Sequence, residues 1–161
     1  MKKKMIVLLL NFLYLLAMVG WILIPDTVVN YPLMQAEDNN YYLERTWDHK
    51  SNAMGSIFLE QLSSPDLTDL NTIVYGHNMN DGSMFASIRN YATQEYYDAH
   101  PVIYISTPDF NYRLDLIAGF LTEPTSFAYA NNFDEPEQFM AYIESIQSMS
   151  TFKSDVEVTE E

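Results

Sequence analysis

The chain is 161 residues long, 48% hydrophobic and 19% charged, with a formal net charge of −14; that is about one domain with a real core, and it excludes a disordered chain. Three of the eight basic residues are Lys2, Lys3 and Lys4, leaving five against 22 acidic residues. Such a surface repels phosphate and excludes nucleic acid as a partner. With no cysteine in the sequence, the 161 residues hold no disulfide, no thiolate nucleophile and no cysteine-ligated metal.

The lysine triplet runs into the apolar stretch Met5–Val19, which as a helix spans about 22 Å. Extended through Ile24 it reaches the roughly 20 residues that cross a bilayer. The pattern predicts a signal-anchor over residues 1–19, with the lysines cytoplasmic and residues 20–161 outside. Whether it is cleaved stays open. Trp21–Ile24 and Thr27–Tyr31 read as β segments broken by Pro25-Asp26 and closed by Pro32. Gln35–Asn40 is loop-like and leads into Tyr41–Leu43; Gly55–Leu59 is the next strand, and Ser63–Asp66 a turn. Thr72–Tyr75 reads as a strand that ends in Gly76-His77 and the polar loop Asn78–Gly82.

Ser83 is placed to cap a short helix from Met84 to about Tyr91, and Gln94–His100 adds another helical turn. Val102–Ser106 and Tyr112–Phe120 read as paired strands. Asp134-Glu135-Pro136-Glu137 is a helix start with Asp134 as N-cap. The stripe Phe139, Tyr142, Ile143, Ile146 and Met149 has the helical period of a face packed on a sheet. Ser154–Val158 alternates like a last strand. Twelve Tyr and nine Phe favour β-rich packing, so the expected class is mainly β with a few helices.

Of the three histidines, His77 alone follows a strand into a loop, a place suited either to acid–base chemistry or to plain structure. His49 lies in a polar loop, and His100 precedes Pro101. Their spacing forms no metal motif, and no G-x-S-x-G elbow makes Ser83 a nucleophile.

Val19–Thr27, Asn30–Gln35, Gly55–Phe58 and the box Asn71–Phe85 (NTIVYGHNMNDGSMF) resemble, in that order, the class B sortases, and the likeness extends to Phe152–Val158. Those are membrane-anchored cysteine transpeptidases of Gram-positive bacteria. The resemblance implies a sortase-type β-barrel behind an N-terminal membrane segment. It also implies catalysis by a His, a Cys in a T-L-x-T-C motif, and an Arg on the following strand. His77 matches the catalytic histidine; Tyr75, Leu43 and Asn39 match positions of the peptide groove, although Tyr75 and Leu43 read equally as core. The implied partners are an N-P-x-T-x sorting-signal peptide, a cell-wall precursor amine and the membrane; no cofactor or metal is called for.

The T-L-x-T-C motif would begin shortly after residue 161, and Arg45, Arg89 and Arg113 all precede the expected catalytic strand. The expectation is therefore a barrel without its last two strands, inactive as this chain. The alternative is a non-catalytic, sortase-like peptide-binding module at the cell surface; an unrelated acidic, membrane-anchored domain is the third reading.

Overall fold

The computed structural model describes residues 18–159, apart from 124, 125, 131, 132 and 134. Its strands are β1 (Met18–Leu23), β2 (Asn30–Met34), β3 (Ile57–Leu59), β4 (Val74–Tyr75), β5 (Val102–Ser106) and β6 (Asn111–Asp115). They form one sheet in the order β4-β3-β2-β1-β5-β6, antiparallel throughout except between β2 and β3. Helices α1 (Gln94–Ala99) and α2 (Pro136–Ser148) and 3-10 turns at Tyr41–Leu43, Ala86–Ala92 and Phe127–Tyr129 lie outside it. The mainly-β expectation holds.

Two strand readings shift. Thr27–Val29 belongs to the β1–β2 turn, where the Thr27 hydroxyl donates to the Ile24 carbonyl and accepts from the Val29 amide. The strand instead passes through Pro32, which pairs with Trp21. Since β3 reaches only Leu33 and Met34, β2 has an open flank at Pro32, where a missing N–H leaves no ladder bond unmade.

The membrane segment falls mostly on residues 1–17, outside the described residues. Its last two residues, Met18 and Val19, and the extension through Ile24 do not continue a helix. Met18–Leu23 is a strand paired on both sides, and its burial alternates as a sheet demands. Among the described residues no helix is long and apolar enough to cross a membrane.

Both faces of the sheet are covered. Ile22, Leu33, Ile57, Leu59 and Ile105 turn to one side, joined by Ile24, Val29 and Met84. Met34 and Phe58, one residue out of phase, turn to the other and pack on Tyr42. Every residue of β3 is buried in consequence, which gives it a continuous apolar run in place of alternation. The sheet is curled: Val74 on β4 and Tyr112 and Leu114 on β6, the two edge strands, line one gap of about 270 Å³, and the Tyr112 hydroxyl reaches the Asp66 carbonyl at 3.2 Å.

Five further expectations change. The helix after Ser83 is a 3-10 turn that starts at Ala86 with Phe85 as N-cap. Ser83 instead donates its hydroxyl to Asp81 at 2.6 Å. Strand β6 ends at Asp115, well short of Phe120. Ser154–Val158 forms no strand; its start is fixed by Ser154, bonded to Tyr97 and to the Leu116 carbonyl, just after Phe152, which stacks on Tyr97 at 4.1 Å. Asp134 lies outside the described residues, and α2 begins at Pro136 with Glu135 as N-cap. The ring partners of its stripe are Phe127 of the 3-10 turn and Phe133 beyond it, where a sheet face was expected.

Candidate functional site

Strand β4 is two residues long, yet it fixes its surroundings closely. Phe58 pairs with Tyr75 and Leu59 with Val74. Beyond Tyr75 the chain keeps its alternation, so Tyr75 and His77 share one face while Gly76 and Asn78 share the other. The return from the Asn78–Gly82 loop is pinned by the Phe85 amide, which donates to the His77 carbonyl at 2.9 Å, and by a bridge between Asn78 and Met84. Met84 is buried with its amide on the Tyr31 hydroxyl at 3.0 Å. The box is thus stapled to the core on both sides of its polar tip.

On the face of Tyr75 and His77 lies the segment Asn39–Leu43. Within it Tyr42 is 1% exposed and packs on Phe58, while the two ends make the contacts that matter. At one end the Leu43 carbonyl meets His77 Nε2 at 2.7 Å. At the other, Asn39 Nδ2 donates to Glu60 Oε1 at 2.9 Å and its Oδ1 accepts from the Gln61 amide at 2.7 Å. Glu60 follows directly on β3, so the segment runs along that strand and is tied down at both ends.

The four residues singled out from the sequence therefore sit on one side of the sheet, with Leu43 and His77 in direct contact. Asn39 makes no contact with His77; it grips the Glu60–Gln61 turn. Tyr75 packs against Phe58 with the rings tilted at 42° and their centroids 5.4 Å apart, and burial, followed by the Glu60 carboxylate and Tyr129, raises its hydroxyl pKa. Leu43 is 36% exposed and available to a ligand, whereas Tyr75 is half-buried and serves the core as well.

Two residues of this site escaped the sequence reading. Glu60 looks like one more solvated acid at a strand end, yet it is 7% exposed; only its pairing with Asn39 shows otherwise. Gly55, recognised as part of a motif, has φ +59° and lies against the Tyr42 and Leu43 carbonyls. The opposite face differs in character. Gly76 and Asn78 there line an apolar cavity of about 570 Å³ with Phe85, Ile103, Leu116 and Phe152, none of them a residue expected to bind peptide.

Among the described residues no group of His, Asp and Glu side chains gathers as a metal site. His49 bonds the Tyr41 hydroxyl at 2.9 Å through Nδ1, and His100 bonds the Tyr96 carbonyl at 3.0 Å.

Comparison with known proteins defines the class. The solved structure of sortase B from Listeria monocytogenes matches with a TM-score of 0.88 at 36% identity, over 95% of this chain and 87% of that one. The Staphylococcus aureus sortase B–substrate complex matches with a TM-score of 0.86 at 28% identity, over 89% of this chain and 67% of that one. A sortase B complexed with triglycine gives a TM-score of 0.86 at 28% identity, over 91% of this chain and 69% of that one. The fold is that of a sortase.

The curated sortase B of L. monocytogenes is 36% identical over 142 residues, 88% of this chain and 58% of that protein. The chain belongs to the sortase B family. It spans 58% of the length of the curated relatives it matches. No family model matches it.

Proposed function

We propose that this chain carries the histidine side of a class B sortase site and binds an N-P-x-T-x sorting-signal peptide along Asn39, Leu43, Tyr75 and His77. The observation that carries this reading is the contact between His77 and the Leu43 carbonyl on the face those residues share. Relatives crystallised with substrate and with triglycine support a sorting peptide and an amine as the two partners.

In the family's reaction a cysteine thiolate attacks the threonine carbonyl, the peptide amine departs, and a cell-wall amine resolves the thioacyl intermediate. His77 is the proton carrier of that cycle: the imidazolium gives its proton to the departing amine, and the neutral ring takes one from the incoming amine. The nucleophile is not among these residues, since the sequence contains no cysteine. Alone, the chain binds peptide without cleaving it. The lysine triplet and the apolar run behind it support a single-pass cell-membrane location with the sheet outside.

The second reading, a dedicated non-catalytic peptide-binding module, is favoured by one observation: the peptide side is fully tied down in a chain without cysteine. Fluorescence anisotropy of a labelled N-P-x-T-x peptide against the full chain in mild detergent, with mass spectrometry of the mixture, tests both. Saturable binding with intact peptide is expected. Cleaved peptide contradicts the inactivity, and an absence of binding contradicts the peptide site.

A further inference from the structure

A carbonyl oxygen only accepts hydrogen bonds, so the 2.7 Å contact between His77 Nε2 and the Leu43 carbonyl requires a proton on Nε2. When the ring is neutral, its lone pair is then on Nδ1, which has no hydrogen-bond partner among the described residues. Protonation at Nδ1 leaves the Nε2–H bond in place, so the ring need not turn between its two charge states.

The Gly55-Ser56 pair lies against the Leu43 carbonyl. Gly55 has φ +59°, a left-handed conformation natural to glycine, and a methyl group at that position would lie 2.5 Å from the Leu43 oxygen and against the Tyr42 oxygen as well. Its amide is fixed by the Asn52 carbonyl at 3.0 Å. Ser56 clamps both sides of Leu43: its amide donates to the Tyr42 carbonyl at 2.9 Å and its hydroxyl to the Arg45 carbonyl at 2.9 Å.

We propose that Gly55 and Ser56 are positioning residues for His77: they seat the Leu43 carbonyl so that it fixes the ring as the Nε2–H tautomer and reserves Nδ1 for proton transfer. This rests on the reading of His77 as the proton carrier.

The test is the ring 15N chemical shifts of the full chain labelled at histidine, with His77→Gln assigning the signals. His77 is expected as the Nε2–H form once neutral. His100, whose Nδ1 meets the Tyr96 carbonyl at 3.0 Å, is expected as the opposite tautomer and serves as an internal reference. Gly55→Ala should lower the His77 tautomer ratio about fivefold, the scale of one lost neutral hydrogen bond, and leave His100 unmoved, which a general loosening of the fold would not do. Where Gly55→Ala fails to fold, Ser56→Ala decides, with an expected drop of about twofold. A neutral His77 found as the Nδ1–H form, or a ratio unchanged in the folded variants, overturns the proposal. Peptide binding by the same samples reports separately on the peptide site, so the two readings fail independently.

Discussion

Glu60 is a carboxylate whose buried charge is met, among the described residues, by N–H donors and no cation. Asn39 Nδ2 bonds one oxygen at 2.9 Å and the Leu62 amide the other at 2.6 Å. Glu60→Gln keeps the shape but sets an NH2 group against one of those donors, and should cost about 1–3 kcal/mol in urea unfolding. His77 is tested where a nucleophile is present. In a chimera that continues this chain with the remaining segment of the Listeria relative, His77→Ala should lower peptide turnover by about 10²–10⁴-fold; equal turnover would refute its role. Tyr42 makes a pH prediction. Burial, with a smaller contribution from Tyr41, raises its pKa from 10.0 to about 12, and burial does the same to Tyr91. Because the folded-state values lie above the unfolded one, this stability is complete below pH 10 and is lost as pH rises towards 12. Tyr42→Phe should flatten that alkaline fall in urea midpoint while changing little at pH 7.

At the scale of elements, the stapled box at the end of β4 has little room. A Cβ on Gly76 would meet Phe85 Cδ2 at 2.6 Å and also strike Ile57 Cδ1. Gly76→Ala should destabilise by about 1–3 kcal/mol through overpacking, read as a lower urea midpoint. The same strands show what a sequence can tell. Val102–Ser106 was legible to the residue because β-branched and aromatic side chains end there at a Pro-containing turn, a wholly local signal. The start of α2 was legible to within one residue from an equally local signal, the Glu135-Pro136 pair, although the cap is Glu135 where Asp134 was expected. The passage of β2 through Pro32 was not, because it depends on how far β3 reaches, a contact across more than twenty residues. Ser154–Val158 misled for the converse reason: its alternation is real, but Ser154 bonds Tyr97 of α1 and the Leu116 carbonyl rather than a neighbouring strand. His77, Tyr75 and Leu43 were found through a motif, whereas the Asn39–Glu60 clasp and the Gly55 seat appear only when the chain is folded.

For the whole molecule, the two faces of the curled sheet separate two environments. One carries Asn39, Leu43, Tyr75 and His77 around a histidine fixed by a backbone carbonyl; the other opens into an apolar cavity beside Ile103, Leu116 and Phe152. The strongly acidic surface has little to do with that division. It sets solubility and repels anions, and in the proposed function peptide selection rests instead on the tied-down segment along β3. The central claim is that the His77 face is the peptide face. The direct measurement is an NMR titration of the 15N-labelled full chain with an N-P-x-T-x peptide, followed amide by amide. The account predicts shifts clustered at Asn39–Leu43 and Tyr75–His77 with the peptide left intact. Shifts confined to the cavity residues, or none at millimolar peptide, would contradict it.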